Sequence, residues 1–567
     1  MKSETARLFK KSWKFIIPFW KSEEKYKALG MLALIVLLVL GNIALSVRLA
    51  YWSKDFYNAL EKKSYVDFIY QIKAFLVLLS VLIPIVLTHI VLTGFLTFRW
   101  REWMTNKFLK NWTENDTYYH VMLHVDKVDN PDQRISQDIS VLCSQTISLF
   151  LSFLREIVTL FSFAFVLWTV SSSIPLKIFG HSFNIQGYLV WIALIYAAFG
   201  TGLIVKVGQP LIQLDFMQEH YEANFRYSLI RLQEKREEIA LFQGTQPEIK
   251  NLHDAFGFIR KNYYNLIKRN AYITLSLSCF GNLSQLIPII AAAPMYFAGI
   301  VTLGVVVQVL SSFEKVRDSF SVIANNFTTI ASWRAATKRL LQLVQHMELA
   351  DQDVADSRIK FSGNNDNIKL TNLSLKKPNS RPMLKGVNFS VGEHDRTLLM
   401  GSSGIGKSTI IRAMKGLWTY GSGKIEQPSN VFYVPQRPYM PIATLHDSLI
   451  YPILPSKYKS EDGKLIELLN LFKLSHLIEH LGERRDWSTT LSLGEQQRIS
   501  FIRILLNKPK WLVMDEPTSS LNKGLEELLF NTLLSRIKDI TMLTVGHSET
   551  LKKHHKKVID VEKWSAL

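Results

Sequence analysis

Cysteine is scarce in this chain, with only Cys143 and Cys279 among its 567 residues. Two thiols so far apart in sequence provide neither the close spacing of a cysteine metal site nor a disulfide framework. Both lie in apolar surroundings, so we expect two buried core thiols. The scarcity therefore excludes a disulfide-stapled fold and a cysteine-ligated metal centre.

Charged residues are also few, at 20% of the chain, while 48% of the residues are hydrophobic and 12% are aromatic. The mean hydropathy is +0.08. A soluble enzyme of this length is usually more polar, and the length suits two or three domains. The composition therefore predicts one half in a membrane and one half in water.

Long apolar segments support this division. Five strong ones and a weaker sixth are each near the ~20 residues that a helix needs to cross a bilayer. The sixth is interrupted in its second half by charged residues. The six segments cover residues 29–50, 75–98, 146–170, 188–207, 273–300 and 301–320. Buried core helices of a large soluble protein are the alternative, and repeated apolar lengths above ~18 residues disfavour it. We expect six membrane spans.

Lysine and arginine alternate between the segments that flank these spans. From the first 27 residues to the turn near residue 299, the successive segments contain eight, three, six, one, ten and no lysine or arginine residues. Because cytoplasmic loops are richer in these residues, both termini and two long loops are predicted to be cytoplasmic. The basic start, followed by an apolar run without a small-residue cleavage site, favours an uncleaved N-terminus.

The net charge of +19 invites a nucleic-acid function. The loop cations beside the membrane spans account for much of that charge, so we expect no nucleic-acid partner. We expect instead a lipid bilayer around the first half of the chain.

The chain divides into four predicted parts. Residues 1–27 form a cytoplasmic N-terminal segment, and residues 28–345 form a transmembrane domain with two long cytoplasmic helical loops. Residues 346–357 form an acidic, polar linker, and residues 358–567 form a soluble domain. In the second loop, residues 225–244 place apolar and charged residues at helical spacing. We therefore expect membrane helices to continue beyond the bilayer as stalks.

The sequence GSSGIGKS at residues 401–408 follows an apolar strand pattern and precedes an apolar helical pattern. This is the arrangement of a phosphate-binding loop, in which glycines let backbone amides surround phosphates at a helix N-terminus. Lys407 is placed to reach the outer phosphates, and the Ser408 hydroxyl is placed to bind Mg²⁺. The predicted ATP-binding residues here are Gly401, Ser402, Ser403, Gly404, Ile405, Gly406, Lys407, Ser408 and Thr409.

Four further motifs follow in order. They are Gln436 beyond a strand, LSLGEQQR at 491–498, an apolar strand ending in Asp515 and Glu516, and His547 after the last apolar strand. Asp515, Gln436 and Ser408 are predicted to hold Mg²⁺, and Glu516 is predicted to activate the attacking water as general base. His547 is placed to donate to the γ-phosphate, and Gln436 is placed to contact water.

Each motif alone has an ordinary explanation. A histidine after a strand is usually structural, and an Asp-Glu pair often caps a helix. All five motifs in this order favour an ATPase site.

At these residues the chain resembles the ATP-binding cassette (ABC) transporters, as a half-transporter with permease and ATPase fused. The resemblance implies a six-span transmembrane domain of exporter type followed by an α/β P-loop ATPase domain. It also implies a homodimer, in which Ser492, Gly494 and Glu495 of the LSLGEQQR loop complete the ATP site of a second copy. The implied function is ATP-driven transport across a bacterial cytoplasmic membrane.

A narrower resemblance rests on LSLGEQQR, DNPDQRI at 129–135, EEIALFQG at 237–244 and ATLHDSLIYP at 443–452. These are similar to the SbmA/BacA-like uptake systems for peptides and cobalamin and to the peroxisomal acyl-CoA half-transporters. The implied cargo is hydrophilic or amphipathic: a peptide, an antibiotic or a cobalamin-like compound. Two alternatives stay open: an acyl-CoA transporter and a non-transport ABC ATPase acting on nucleic acid or translation. The final Ser-Ala-Leu faintly resembles a peroxisomal address, but such addresses serve matrix proteins.

The chain departs from the family pattern at two positions. Residues 373–380 lack the aromatic residue that stacks on adenine in the family, so looser nucleotide selectivity is expected. Asn522 stands where the family has aspartate. Asparagine retains a hydrogen bond but not the negative charge, so slower ATP turnover is expected.

Overall fold

A computed structural model describes residues 2–123, 130–172, 176–178, 181–183, 186–378, 381–458 and 462–566. The chain divides into two compact units. The first comprises Met1–Lys110 and Asn130–Leu343, and the second comprises Asn111–Asp129 and Val344–Leu567.

The first half of the chain is almost entirely helical. Its helices are α1 Lys2–Trp20, α2 Lys25–Glu61, α3 Tyr65–Thr113, α4 Thr117–Leu123, α5 Pro131–Gln133, α6 Ile139–Ser172, α7 Tyr188–Glu234, α8 Arg236–Leu241, α9 Thr245–Phe297, α10 Leu303–Phe320, α11 Val322–Asn325 and α12 Phe327–Ala355. A π-helical turn, Arg134–Asp138, joins α5 to α6. Two short strands, β1 Leu176–Ile178 and β2 His181–Phe183, pair antiparallel.

Five of the long described helices are apolar enough to cross a membrane by length and composition. They contain the first five predicted spans. The sixth predicted span is the helix α10, which packs against α2, α6, α7 and α9. Its charged residues Glu314, Lys315, Arg317 and Asp318 keep it out of that apolar set. Helices suit this setting because all their backbone hydrogen bonds are made within the segment.

Helices α7 and α9 extend far beyond the predicted spans at residues 188–207 and 273–300, as the stalk prediction requires. The short helix α8 lies between them. The predicted linker is helical as far as Ala355, because α12 continues through it. Of the motif at 129–135, residue 129 lies outside the described residues, and Pro131 opens α5. Residues 379, 380 and 567 also lie outside them.

The two cysteines differ in environment. Cys143 is buried as predicted, whereas Cys279 is exposed on α9, so the prediction of two buried thiols is wrong for Cys279. Apolar neighbours in sequence indicate a membrane-spanning helix here, and one face of such a helix contacts lipid or another chain rather than its own core.

The second half is an α/β domain. Its strands are β3 Arg358–Ser362, β4 Asn364–Lys376, β5 Pro382–Val391, β6 Arg396–Met400, β7 Gly421–Pro428, β8 Val431–Val434, β9 Ile442–Thr444, β10 Arg484–Asp486, β11 Trp511–Asp515, β12 Thr541–Val545 and β13 Lys557–Asp560. Its helices are α13 Lys407–Met414, α14 Leu445–Ile450, α15 Asp462–Leu471, α16 Trp487–Thr490, α17 Leu493–Asn507 and α18 Lys523–Arg536.

A parallel five-stranded sheet in the order β13-β6-β12-β11-β8 forms the centre of this domain. Its three inner strands, β6, β12 and β11, are largely buried, as parallel strands covered on both faces are. A second sheet, in the order β3-β7-β4-β5, and a small β9-β10 pair complete the strands. The loops after β6, β8, β11 and β12 all leave the same carboxyl edge of the central sheet, where ligands of such folds bind.

The loop segment that contains α4 belongs with the ATPase half. Leu123 packs against the apolar core that includes Leu384, Leu399 and Val513. The Thr117 hydroxyl lies 3.4 Å from an Asp351 carboxylate oxygen. A loop between the second and third predicted spans therefore contributes to the second compact unit.

Candidate ATPase site

The phosphate-binding loop has the backbone that its glycines predict. It connects β6 to α13, and Gly401, Gly404 and Gly406 have φ values of 150°, 83° and 114°. A side chain at Gly406 would also place its Cβ 3.1 Å from Leu384 Cδ1. Positive φ and close packing together favour glycine at this position, immediately before the first residue of α13.

Lys407 folds back over this loop. Its Nζ donates to the carbonyl oxygens of Gly401 and Ser402 at 2.8 and 2.9 Å, and it lies 3.0 Å from His547 Nε2. Burial lowers the pKa of Lys407, against the opposing effect of the carboxylates of Glu516 and Asp515. The ammonium group is therefore held at the mouth of the loop, where a phosphate would bind.

Ser408 and Asp515 meet across the site. The Ser408 hydroxyl donates to Asp515 Oδ1 at 3.1 Å. Asp515 is the last residue of β11, and burial raises its pKa in spite of this hydrogen bond. A hydroxyl and a buried carboxylate are hard oxygen ligands, so the pair fits Mg²⁺.

Glu516 is held by two other predicted residues. Its carboxylate accepts a hydrogen bond from Gln436 Nε2 at 2.7 Å and lies 3.2 Å from His547 Nε2. Its backbone has a φ of 45°, which is uncommon outside glycine, and its N–H donates to the Val545 carbonyl at 2.9 Å. Such strained positions occur at functional sites, where the surrounding structure imposes them.

These residues surround one cavity of about 430 Å³. It is lined by Met383, Ser403, Gly404, Gly406, Lys407, Ser408, Thr409, Gln436, Glu516 and His547. The structure therefore brings together, around one cavity, residues from four loops that are far apart in sequence.

The predicted signature residues Ser492, Gly494 and Glu495 are not among the described residues that line this cavity. Ser492 instead caps α17: its Oγ accepts from the Glu495 N–H at 3.4 Å, and its Oγ and N–H both donate to Glu495 Oε2, at 2.7 and 2.9 Å. Burial raises the pKa of Glu495, but hydrogen bonds from Ser492 and His476 outweigh it, and the net pKa is lowered. The start of α17 is thus closed by a reciprocal cap between Ser492 and Glu495.

Asn522 has a local role. Its side-chain oxygen accepts from Leu525 N–H at 2.9 Å and caps the N-terminus of α18. Asparagine and aspartate are equally good at such a position. The side chain that replaces the family's aspartate is therefore still used for helix capping.

Two residues at the site were missed by sequence reasoning. Glu562, near the C-terminus, accepts a hydrogen bond from Ser402 N–H at 3.0 Å. Met383 lines the cavity, with its Cε 3.5 Å from a Cβ placed on Gly406. No motif identifies either residue, because both reach the loop through folding of distant strands. In the segment 373–380, where the family has its adenine-stacking aromatic residue, Leu373 and Leu375 are fully buried in the core.

Met383 leads to a prediction about nucleotide choice. A flexible thioether gives less base stacking than an aromatic ring, which contributes roughly 1–3 kcal/mol per base. We therefore expect GTP to displace a fluorescent ATP analogue with an affinity within about tenfold of that of ATP. Met383→Tyr should tighten ATP binding about tenfold. The control variant Lys369→Tyr, on the exposed surface of β4, should leave the affinity for ATP unchanged. Strict ATP preference in the unmodified protein contradicts this expectation.

Sequence comparison matches both halves of the chain. The family described as "ABC transporter transmembrane region 2" matches residues 13–297, and the family described as "ABC transporter" matches residues 384–519. "ABC transporter D family member 2, chloroplastic" from Arabidopsis thaliana is 30% identical over 630 aligned positions, covering 99% of this chain and 87% of the relative. "Inner membrane ABC transporter ATP-binding protein YddA" from Escherichia coli is 28% identical, covering 94% of this chain and 93% of the relative.

The fold has a solved counterpart. A bacterial Atm1-family ABC exporter with ATP bound superposes with a TM-score of 0.71 at 15% identity, covering 95% of this chain and 94% of the exporter chain. At that identity the likeness concerns the fold: a helical membrane domain of exporter type followed by an ATPase domain.

Proposed function

Because this chain belongs to the ABC transporter family, with transmembrane region and ATPase in one polypeptide, we propose that two copies form a homodimeric pump for a hydrophilic or amphipathic cargo. ATP hydrolysis coupled to transport is the activity of the family. We propose the dimer, the roles of the residues and the class of cargo.

The observation that supports the dimer is that the LSLGEQQR loop does not line the cavity of its own chain. Lys407, Ser408 and Glu516 line it, while Ser492 is exposed at the start of α17 and contributes nothing to it. A helix N-terminus carries a partial positive charge and suits a phosphate. In the dimer, Ser492 and Gly494 of one copy close over the nucleotide held by the loop of the other.

The roles of the residues follow from their contacts. Ser408, Asp515 and Gln436 would hold Mg²⁺, which neutralises phosphate charge when it is bound. Glu516, oriented by Gln436 and His547, accepts the proton of the attacking water. Lys407 and His547 donate to the terminal phosphate. ATP joins the two ATPase domains, hydrolysis separates them, and the stalk helices convert this cycle into alternating access.

We place the protein in the cytoplasmic membrane of a bacterium, with both termini in the cytoplasm. The alternation of basic and non-basic loops supports this orientation. The inner-membrane location is that of the E. coli relative.

A single set of measurements tests the proposal. The purified protein is reconstituted into vesicles, its ATPase rate is measured with a panel of peptides, antibiotics, cobalamins and acyl-CoAs, and uptake and efflux are followed separately. Stimulation with directional flux of a hydrophilic compound supports the proposal. Stimulation by acyl-CoA alone favours the acyl-CoA alternative. Release from membranes by salt without detergent favours the non-transport alternative.

A further inference from the structure

Charged side chains lie far along two helices that contain predicted membrane spans. Arg155 and Glu156 are on α6, and Arg317 and Asp318 are on α10. At ~1.5 Å per residue, all four lie roughly 20–25 Å along the helix from the loop ends at Ser172 and Leu303. This depth is within the ~30 Å hydrocarbon core. Charges at such depth are costly and usually mark a transport pathway.

The four charges form two ion pairs. Arg155 Nε lies 3.1 Å from Glu156 Oε1, and an Arg317 guanidinium nitrogen lies 2.7 Å from Asp318 Oδ1. Each pair joins sequence neighbours, whose side chains diverge on a helix. The pairs are therefore weak local arrangements that a charged ligand can replace.

One member of each pair is largely buried and the other is exposed. The side chains of Glu156 and Arg317 are 19% and 15% exposed, whereas those of Arg155 and Asp318 are 58% and 59% exposed. The buried members are anchored: Ser319 Oγ donates to Glu156 Oε2 at 2.9 Å, and Arg317 contacts the Ser284 hydroxyl of α9. The exposed cation Arg155 and the exposed anion Asp318 therefore each lie beside an anchored partner of opposite charge.

The helix is interrupted directly beyond these charges. α10 ends at Phe320, and the Ser321 N–H is shared between the carbonyls of Arg317 and Asp318 at 3.2 and 3.1 Å. The Ser321 hydroxyl lies 3.2 Å from that of Thr201 on α7. Irregular backbone at membrane depth is tolerated where it is covered by protein or lines a water-filled cavity.

We propose that this polar cluster is a cargo-binding site, in which Arg155 binds an anionic group and Asp318 binds a cationic group of the same cargo. The inference rests on the transport function proposed above. An exposed charge at this depth is unfavourable against lipid, so the two side chains face a path for polar molecules.

The cargo class follows from the charge balance. Including Glu314 and Lys315 on α10, the cluster has three cationic and three anionic side chains. A polyanion such as an acyl-CoA meets no net positive charge there, and a polycation meets no net negative charge. The site therefore fits a water-soluble cargo that carries both signs of charge.

The test uses full-length protein in vesicles and three fluorescent peptides of equal length, one zwitterionic, one polycationic and one polyanionic. We expect the zwitterionic peptide to stimulate ATP hydrolysis at the lowest concentration. Arg155→Gln and Asp318→Asn should each raise its half-maximal concentration about tenfold, the size of one lost charged hydrogen bond. Lys250→Gln, an exposed cation on the stalk part of α9, is the matched control and should leave it unchanged.

A second measurement reports on the site directly. In a Cys143→Ala, Cys279→Ala background, Arg155→Cys and Asp318→Cys should react with a membrane-impermeant thiol reagent, and the zwitterionic peptide should slow that reaction. Unreactive or unprotected thiols, or half-maximal concentrations that both charge variants leave unchanged, overturn the proposal. If the protein hydrolyses ATP and moves other cargo while none of the peptides acts, the cargo class is wrong. A protein without any ATPase activity or flux refutes the transport function itself.

Discussion

Glu516→Gln is expected to lower ATP hydrolysis by roughly 100-fold or more and to leave ATP-bound dimers that do not separate. Glutamine has nearly the same shape, so Gln436 and His547 still have a group to contact at this position. It has no basic carboxylate, so the proton of the attacking water has no acceptor. Binding survives while the chemical step is lost.

Phosphate release measures the rate, and size-exclusion chromatography with ATP measures the dimer. Glu479→Gln, an exposed carboxylate on the same domain, is the control and should retain both the rate and the ATP-dependent equilibrium. Hydrolysis at the unmodified rate in the Glu516 variant removes this residue as the general base. A low rate without an ATP-bound dimer places the defect in nucleotide binding instead.

Lys407→Met should weaken ATP binding about 100-fold, which corresponds to about 3 kcal/mol. Lys407 is a buried residue, only 4% exposed, and its ammonium group is held over the loop by two carbonyls. A phosphate replaces those neutral carbonyl acceptors with an anionic acceptor, so that donor and acceptor are both charged. Methionine fills the space and gives no such contact.

Equilibrium binding of a fluorescent ATP analogue measures this loss, and the melting temperature without nucleotide shows whether the loop still folds. Lys457→Met, on the exposed surface, removes one charge from the same domain and should bind like the unmodified protein. Equal affinity in the two variants contradicts a phosphate-binding role for Lys407.

The site was predictable from sequence where its residues form local motifs. Glycines with positive φ, the lysine that follows them and the carboxylates at a strand end each have a short pattern, because their chemistry depends on immediate neighbours. The apolar lengths of the spans were predictable for a similar reason, since the bilayer sets a minimum length for each helix.

Other contacts were not predictable because they join distant parts of the chain. Glu562 reaches Ser402 only because β13 pairs with β6, and Met383 reaches the cavity only because β5 lies beside the loop. Exposure of Cys279 was missed because apolar neighbours indicate a span equally well on its inner and outer face. Sequence motifs identified the candidate reacting groups, and only the sheet topology identified the residues that contact them.

The packing of Leu123 has a practical consequence for making the ATPase half as an isolated fragment. A fragment that starts near the boundary at 358 omits Leu123, which covers part of the apolar core, and Asp351, which lies beside Thr117. Such a fragment exposes a patch of that core to water and is prone to aggregation. Fusing residues 111–123 ahead of residue 344 through a flexible linker restores the missing cover and gives a soluble form for nucleotide-binding experiments.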